Sequence, residues 1–361
     1  MSARSPPLPF DRICNLLSQF YKFGTIDQSS IKEFDSWEDR NYYFEDKTDK
    51  YVLKIMREMP STSVDLVRGL AEVMLYLHER RIPCSWPIKA LDGKPVVVLK
   101  ENELINSTRC ETNNYLPPSH ECRVTKEQQY CVMVLTFIEG NLADECPMTS
   151  ELLFNIGSCF ASMDKELQEF THQSIVNRRY SFDLKNLSNA KPHLKSITDP
   201  QRRAVFTKII NTFESQVLPE VPYLSTGTIH NDGNMKNIIV KQGSSTAIGG
   251  VIDFCDCVHS CHIFELAVLV TMAIDSVNIT PAKAIVQGYL EKLQLPKRDL
   301  NLLYYTVLGR LALVYIYGQM TLNDDTSNEY IYEAVQTAWS KSELLHSISK
   351  EDFDKALCLY I

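Results

Sequence analysis

A chain of 361 residues, 44% apolar and 23% charged, has ordinary globular composition and is long enough for one large domain or two. Its formal net charge of −8 excludes a surface built to coat nucleic acid or an anionic membrane, since both demand dense lysine and arginine. The longest apolar run, residues 264–274, contains Glu265 and is too short to span a bilayer, and the opening MSARSPPLPF lacks the charged and apolar regions of a secretory signal. Eleven cysteines without a framework spacing fit reduced thiols in a cytoplasmic chain. The expectation is a soluble protein, with neither membrane nor nucleic acid as partner, that handles a small molecule.

Taken in chain order, the first half reads as strands with one helix. Residues 31–35, 41–45 and 51–56 form three short strands around the polar turns SWEDR and DKTDK, an antiparallel meander. Residues 65–80 follow as a helix, with Leu66, Leu70, Val73, Met74 and Leu77 on one apolar face, and Pro83 and Pro87 end it. Two more strands, 96–99 and 130–135, flank the polar stretch 100–129, which has no apolar period and reads as a loop. Beyond it the pattern turns helical. Ser150 reads as an N-cap, and Leu152, Leu153, Ile156, Phe160, Met163, Leu167 and Phe170 fall on one face of a long helix. Further helices are expected at 199–217, 264–275, 282–293, 299–318 and 328–345. The fold class is therefore α+β: an N-terminal lobe, residues 1–136, with a small antiparallel sheet and one helix, and a mainly helical C-terminal lobe, residues 137–361. A site between two such lobes is the expectation.

The segment CDCVHSCH, residues 255–262, has the composition of a metal site. Its C-x-C-x-H-x-C-H spacing departs from the two to four residues that separate paired zinc cysteines, so it is read as structural.

The chemistry concentrates in IHNDGNMKNIIV, residues 229–240, where His230, Asp232 and Asn237 run into an apolar triplet. Downstream, GGVIDFCD places Asp253 after a second apolar run. Strands at 237–241 and 249–253, joined by the turn QGSSTA, form a hairpin that brings Asn237 and Asp253 to one end beside Asp232. Carboxylate and amide oxygens are the hard donors that Mg2+ prefers, and magnesium leaves its remaining positions to phosphate and water. An aspartate to accept a hydroxyl proton, with an asparagine and a second aspartate to hold metal, is the set that phosphoryl transfer uses. Lys54, in the apolar strand YVLKI, completes it, because an ammonium is misplaced there unless it reaches a phosphate. A chance H-x-D-x4-N occurs in roughly one chain in fifty of this length at average residue usage, so the order of the elements carries the weight.

With these residues placed, the chain resembles the aminoglycoside phosphotransferase-like kinases over nearly its whole length. The matching stretches are DSWEDRNYYF, YVLKI, YLHERRIPCSWPI, LLFNIGSCFASMDKELQEF with FDLKNL, IHNDGNMKNIIV, GGVIDFCDCVHSCHIFELAV and QTAWSK. The resemblance implies a bilobal protein-kinase-like fold and transfer of the γ-phosphate of GTP or ATP to the hydroxyl of a small amino alcohol. It implies that Asp232 is catalytic, that Asn237 and Asp253 ligate Mg2+ and that Lys54 pairs with phosphate. His230 is read as a support for the loop. The turn from Ser36 to Asn41 matches the one that covers the phosphates, without a G-x-G-x-x-G motif, and residues 135–139 match the hinge that reads the base.

Three positions depart from the family pattern. Asn231 and Cys255 stand where it has glycine, asparagine being the next most tolerant of left-handed backbone. The third is the helix partner of Lys54, for which register with the family points nearer Leu70 and Glu72 is the candidate carboxylate. On the acceptor side, Arg310 coincides with a family arginine. It suits a substrate carboxylate through its bidentate fork, the other reading being a structural ion pair. Asp183 is the candidate for an acceptor amine, and Phe182 and Trp339 are candidate walls. Other amino alcohols, choline-like acceptors and a nucleotide-binding pseudokinase are the competing readings.

Overall fold

The computed structural model describes residues 5–34, 36, 39–59, 62–105, 128–324 and 328–359. The chain divides into two compact units, one of residues up to Leu75 with Ser85–Phe137, the other of Tyr76–Cys84 with the chain from Ile138 onward.

The first unit opens with α1 (Phe10–Phe20), which composition and motif reading passed over although Ile13, Leu16 and Leu17 follow helical spacing. It is followed by β1 (Asp27–Phe34), β2 (Arg40–Glu45), β3 (Lys50–Arg57), α2 (Val64–Glu79), β4 (Pro87–Ile88), β5 (Val97–Lys100), α3 (Glu101–Ile105) and β6 (Gln129–Thr136). The expected meander forms, with β1 starting four residues earlier than the pattern suggested. All pairings are antiparallel in the order β1-β2-β3-β6-β4, with β5 also on β6. Ile13, Leu16 and Leu17 of α1 join Tyr42, Phe44, Leu53, Ile55, Val132 and Val134 in one core cluster on a face of this sheet. Strand alternation then puts Lys54, between Leu53 and Ile55, on the other face. Most of the 100–129 stretch, from residue 106 to residue 127, lies outside the described residues.

In the second unit, β7 (Gly140–Leu142) precedes α4 (Ser150–Leu167), α5 (Gln173–Val176) and a 3-10 stretch, Leu184–Ser196. Next come α6 (Pro200–Gln216), β8 (Thr226–Ile229), β9 (Ile238–Lys241), β10 (Ile248–Val251), β11 (Val258–Cys261) and α7 (His262–Ala273). The chain closes with α8 (Ala282–Lys292), α9 (Lys297–Leu300), α10 (Leu303–Asp324), α11 (Glu329–Ser347) and α12 (Lys350–Ala356). Two small antiparallel ribbons sit among the helices, β10-β9-β7 and β11-β8.

Local chemistry explains most boundaries. Thr149, not Ser150, caps α4, its hydroxyl accepting the Leu152 N–H at 3.1 Å, while Asp199 and Asn328 cap α6 and α11. The helix expected at 299–318 divides into α9 and α10 at Asn301 and Leu302. The stretch around Pro192 becomes 3-10, a backbone form that apolar periodicity does not signal. Helices α4 and α8 approach so closely that a Cβ on Gly288 would lie 1.9 Å from the Phe154 carbonyl oxygen, and one on Gly157 2.2 Å from that of Ile285. Among the described residues no helix is long and apolar enough to cross a membrane, and the nine described cysteines are free thiols.

Candidate active site

Both sequence motifs leave the two ribbons of the second unit at one end. The β9–β10 ladder pairs Ile238 with Val251, and the next bond outward runs from the Ile252 N–H to the Asn237 carbonyl at 2.9 Å. Asn237 and Asp253 therefore flank the open end of the hairpin. His230 ties the motifs together from within: its Nδ1 accepts the Asp232 N–H at 3.2 Å and its Nε2–H donates to the Ile252 carbonyl at 3.1 Å. That pairing fixes the neutral tautomer protonated on Nε2. Complete burial sets the ring's pKa below its usual value against the raising effect of the Asp232 charge, and Phe160 and Phe254 enclose it edge-on. His230 is a strut for the loop.

Asn231 has φ +66°, the left-handed backbone for which glycine or asparagine is suited. Its N–H donates to Glu265 Oε2 at 2.8 Å. Glu265 is fully buried, and burial raises its pKa to about 7 despite the bonds it accepts from the loop backbone. Asp164, also fully buried, is raised by burial and then by Glu265, and accepts a hydrogen bond from the Tyr289 hydroxyl. A pair of buried acids thus lies beneath the loop. Gly233 allows the loop to seat on α4 and α7, because a Cβ there would meet Leu269 Cδ2 at 2.5 Å and Phe160 Cε1 at 3.0 Å.

The Asp232 side chain, 27% exposed, is held on both oxygens. Oδ2 accepts from Asn234 Nδ2 and Asn237 Nδ2, each at 2.8 Å, and Oδ1 faces Arg310 Nη2 at 3.3 Å. Because Asn237 spends its Nδ2 on Asp232, the other end of its amide, Oδ1, is the oxygen it offers a cation. Asp253 follows β10 with φ +61° and is exposed. Asp253 and Asn237 thus present hard oxygen donors at one edge, a donor set that fits a divalent cation held mostly by phosphate and water.

The acceptor-side residues fare differently. Asp183 caps the 3-10 stretch: Oδ1 accepts from Lys185 N at 3.1 Å and Ser260 Oγ at 2.7 Å, while Oδ2 pairs with Lys185 Nζ at 3.4 Å. At 2% exposure it pins that stretch to β11 and presents no carboxylate to a ligand. Trp339 packs with Phe206 and Tyr315 under the Arg202 guanidinium. Arg310, 5% exposed, does reach the site, and the Phe182 ring lies 5.3 Å from its guanidinium carbon.

Asp256, the second acid of DFCD, had drawn no role. Its Oδ1 accepts the Tyr180 hydroxyl at 2.6 Å, and burial, with Asp232 next in effect, raises its pKa to about 7. Lys236, inside the first motif, lies 4.6 Å from the Tyr330 ring centroid. The CDCVHSCH run folds into a 3-10 turn, β11 and the start of α7, with Cys257, Cys261 and His262 buried. Among the described residues no group of three or more His, Cys, Asp or Glu side chains could hold a metal ion.

In the first unit, Lys54 is 5% exposed and pairs across the ladder with Asn41 on one side and Met133 on the other. Its Nζ lies 2.8 Å from Asp39 Oδ2. Asp39 belongs to the turn after β1 and its carbonyl accepts the Ser36 hydroxyl at 2.5 Å, so the turn is tied to the lysine by a residue that motif reading passed over. Residues 35, 37 and 38 of that turn are outside the described residues. Glu72 stands on the exposed side of α2. Asn41 Oδ1 is buried without a hydrogen-bond partner among the described residues.

Comparison with known proteins agrees with this chemistry. The profile of the phosphotransferase enzyme family matches residues 30–300. A hydroxylysine kinase of Xenopus laevis is 24% identical over 375 residues, covering 98% of this chain and 94% of that protein. Among solved structures, a microcompartment-associated aminopropanol kinase superposes with a TM-score of 0.67 at 17% identity, covering 96% of this chain and 99% of that one. Amicoumacin kinase, in complex with AMP-PNP, Ca2+ and Ami, gives 0.66 at 15% identity, with 95% and 96% covered. These structural likenesses show the α+β, protein-kinase-like fold. Since the profile takes in β2, β3, the Asp232 loop and the β9–β10 hairpin alike, the chain belongs to the phosphotransferase enzyme family and is a kinase.

Proposed function

We propose that this kinase transfers the γ-phosphoryl group of GTP or ATP to the hydroxyl of 5-hydroxy-L-lysine, giving 5-phosphohydroxylysine. The observation that carries the reading is the Asp232 carboxylate, oriented on both oxygens by Asn234, Asn237 and Arg310 and joined through His230 to the residue before Asp253. Asp232 accepts the hydroxyl proton as that oxygen bonds to the γ-phosphorus and the bond to the nucleoside diphosphate breaks. Asn237 and Asp253 hold Mg2+, which when bound neutralises charge on the phosphates. Lys54, positioned by Asp39, engages phosphate oxygens, with Ser36 and Asn41 shaping the turn. Arg310 serves the acceptor's carboxylate. The free thiols suit a reducing cytoplasm.

The relatives named hydroxylysine kinase, among them that of Xenopus laevis, support the choice of acceptor. Phosphate transfer from magnesium GTP and magnesium ATP across hydroxylysine, lysine, homoserine, choline and ethanolamine tests it. Turnover with hydroxylysine and none with lysine is expected. Faster turnover of choline or ethanolamine would reassign the acceptor.

A further inference from the structure

Arg310 is a buried cation whose hydrogen-bonding capacity is poorly met. A guanidinium carries five N–H donors in a planar fork. Here Nη2 lies 3.3 Å from Asp232 Oδ1 and Nη1 lies 3.4 Å from the Phe182 carbonyl, both longer than the 2.7–2.9 Å usual for charge-assisted bonds. Nε is buried with no acceptor among the described residues. A side chain only 5% exposed bears the desolvation cost of those unmet donors, and the face of Phe182 offsets a part of it. A structural arginine of this burial is ordinarily satisfied on every side.

We propose that Arg310 passes between two carboxylates: without acceptor it restrains Asp232, and the acceptor's own carboxylate takes the guanidinium fork, so that the site selects hydroxy acids of the amino type over amino alcohols without a carboxylate. The inference rests on the proposed acceptor class and adds to it a reason for discrimination. A carboxylate supplies two coplanar acceptors to the fork, which one Asp232 oxygen and one carbonyl do not. Asp232 stays oriented by Asn234 and Asn237 on Oδ2 when Oδ1 is released, so the proton acceptor keeps its place. Arg310 thereby acts on the acceptor directly and on Asp232 as a positioning residue.

The test compares hydroxylysine with its decarboxylated counterpart, 1,5-diaminopentan-2-ol, for the wild type, Arg310→Gln and Arg310→Lys, with nucleotide KM measured alongside. The wild type should favour hydroxylysine in kcat/KM by on the order of 100-fold, the effect of removing one partner of a buried charge pair. Arg310→Gln should raise the KM for hydroxylysine and erase the preference while nucleotide KM holds, and Arg310→Lys should restore a part, lacking the fork. Equal use of the two acceptors by the wild type, or an undiminished preference in Arg310→Gln, would overturn the inference and leave the kinase reading intact. Turnover of neither acceptor by the wild type would overturn the proposed acceptor class and this inference with it. Should Arg310→Gln fail to fold, the wild-type comparison decides alone.

Discussion

Gly233→Ala isolates the seating of the Asp232 loop from its chemistry. The added Cβ would lie 2.5 Å from Leu269 Cδ2 and 3.0 Å from Phe160 Cε1, whereas ordinary contact begins at 3.4 Å, so about 0.9 Å must be found. Leu269 and Phe160 are both fully buried, which leaves neither side chain open space to rotate into. Overpacking of this kind costs about 1–3 kcal/mol, equivalent to a fall in Tm of about 3–10 °C for a unit of this size. If the loop moves instead, Asp232 shifts by a similar distance, and about 1 Å of misplacement lowers kcat on the order of 100-fold. Calorimetry and saturating phosphate-transfer kinetics on the same preparation read both effects. A variant with wild-type Tm and wild-type kcat would refute the reasoning, because the two packed side chains leave no third way to absorb the methyl.

Three further outcomes follow from the same geometry. Asp232→Asn should lower kcat by about 100- to 10,000-fold while nucleotide binding persists, as expected for loss of a general base, and retained turnover would remove Asp232 from that role. Asp253→Asn should raise the Mg2+ concentration needed for half-maximal activity while leaving Tm nearly unchanged, since Asp253 is exposed; an unaltered metal titration would exclude it as a ligand. Glu265→Gln should flatten a slope in stability. The carboxyl has a folded-state pKa of about 7, raised from 4.5, so its contribution is fully present below pH 4.5 and is lost as pH rises through about 7, at no more than about 1.4 kcal/mol per pH unit. Denaturant unfolding of both proteins from pH 5 to pH 8 checks this, and parallel curves would mean that Glu265 does not hold its proton in the fold.

What the sequence alone determined was local. His230, Asp232, Asn237 and Asp253 sit within one loop-and-hairpin segment, so spacing and strand pattern suffice to bring them together, and the β9–β10 register follows from two apolar triplets. Lys54 was legible because a cation within an apolar strand has few physical explanations, and the left-handed Asn231 because asparagine tolerates that backbone. Only the tertiary structure decided which polar groups would meet. Arg310 reaches Asp232 across 78 residues and Glu265 reaches the Asn231 N–H across 34. Asp183 was the acid that the sequence offered for an acceptor amine, yet it is committed to Ser260 and Lys185, while Asp256, given no role there, faces the Asp232 field. Asp39 pairs with Lys54 because a turn closing on the strand brings it within 2.8 Å. The reason is general: periodicity reports which face of an element is apolar, whereas the partner of a buried charge is fixed by packing among segments distant in the chain, and that partner sets whether the charge binds, positions or merely holds the fold.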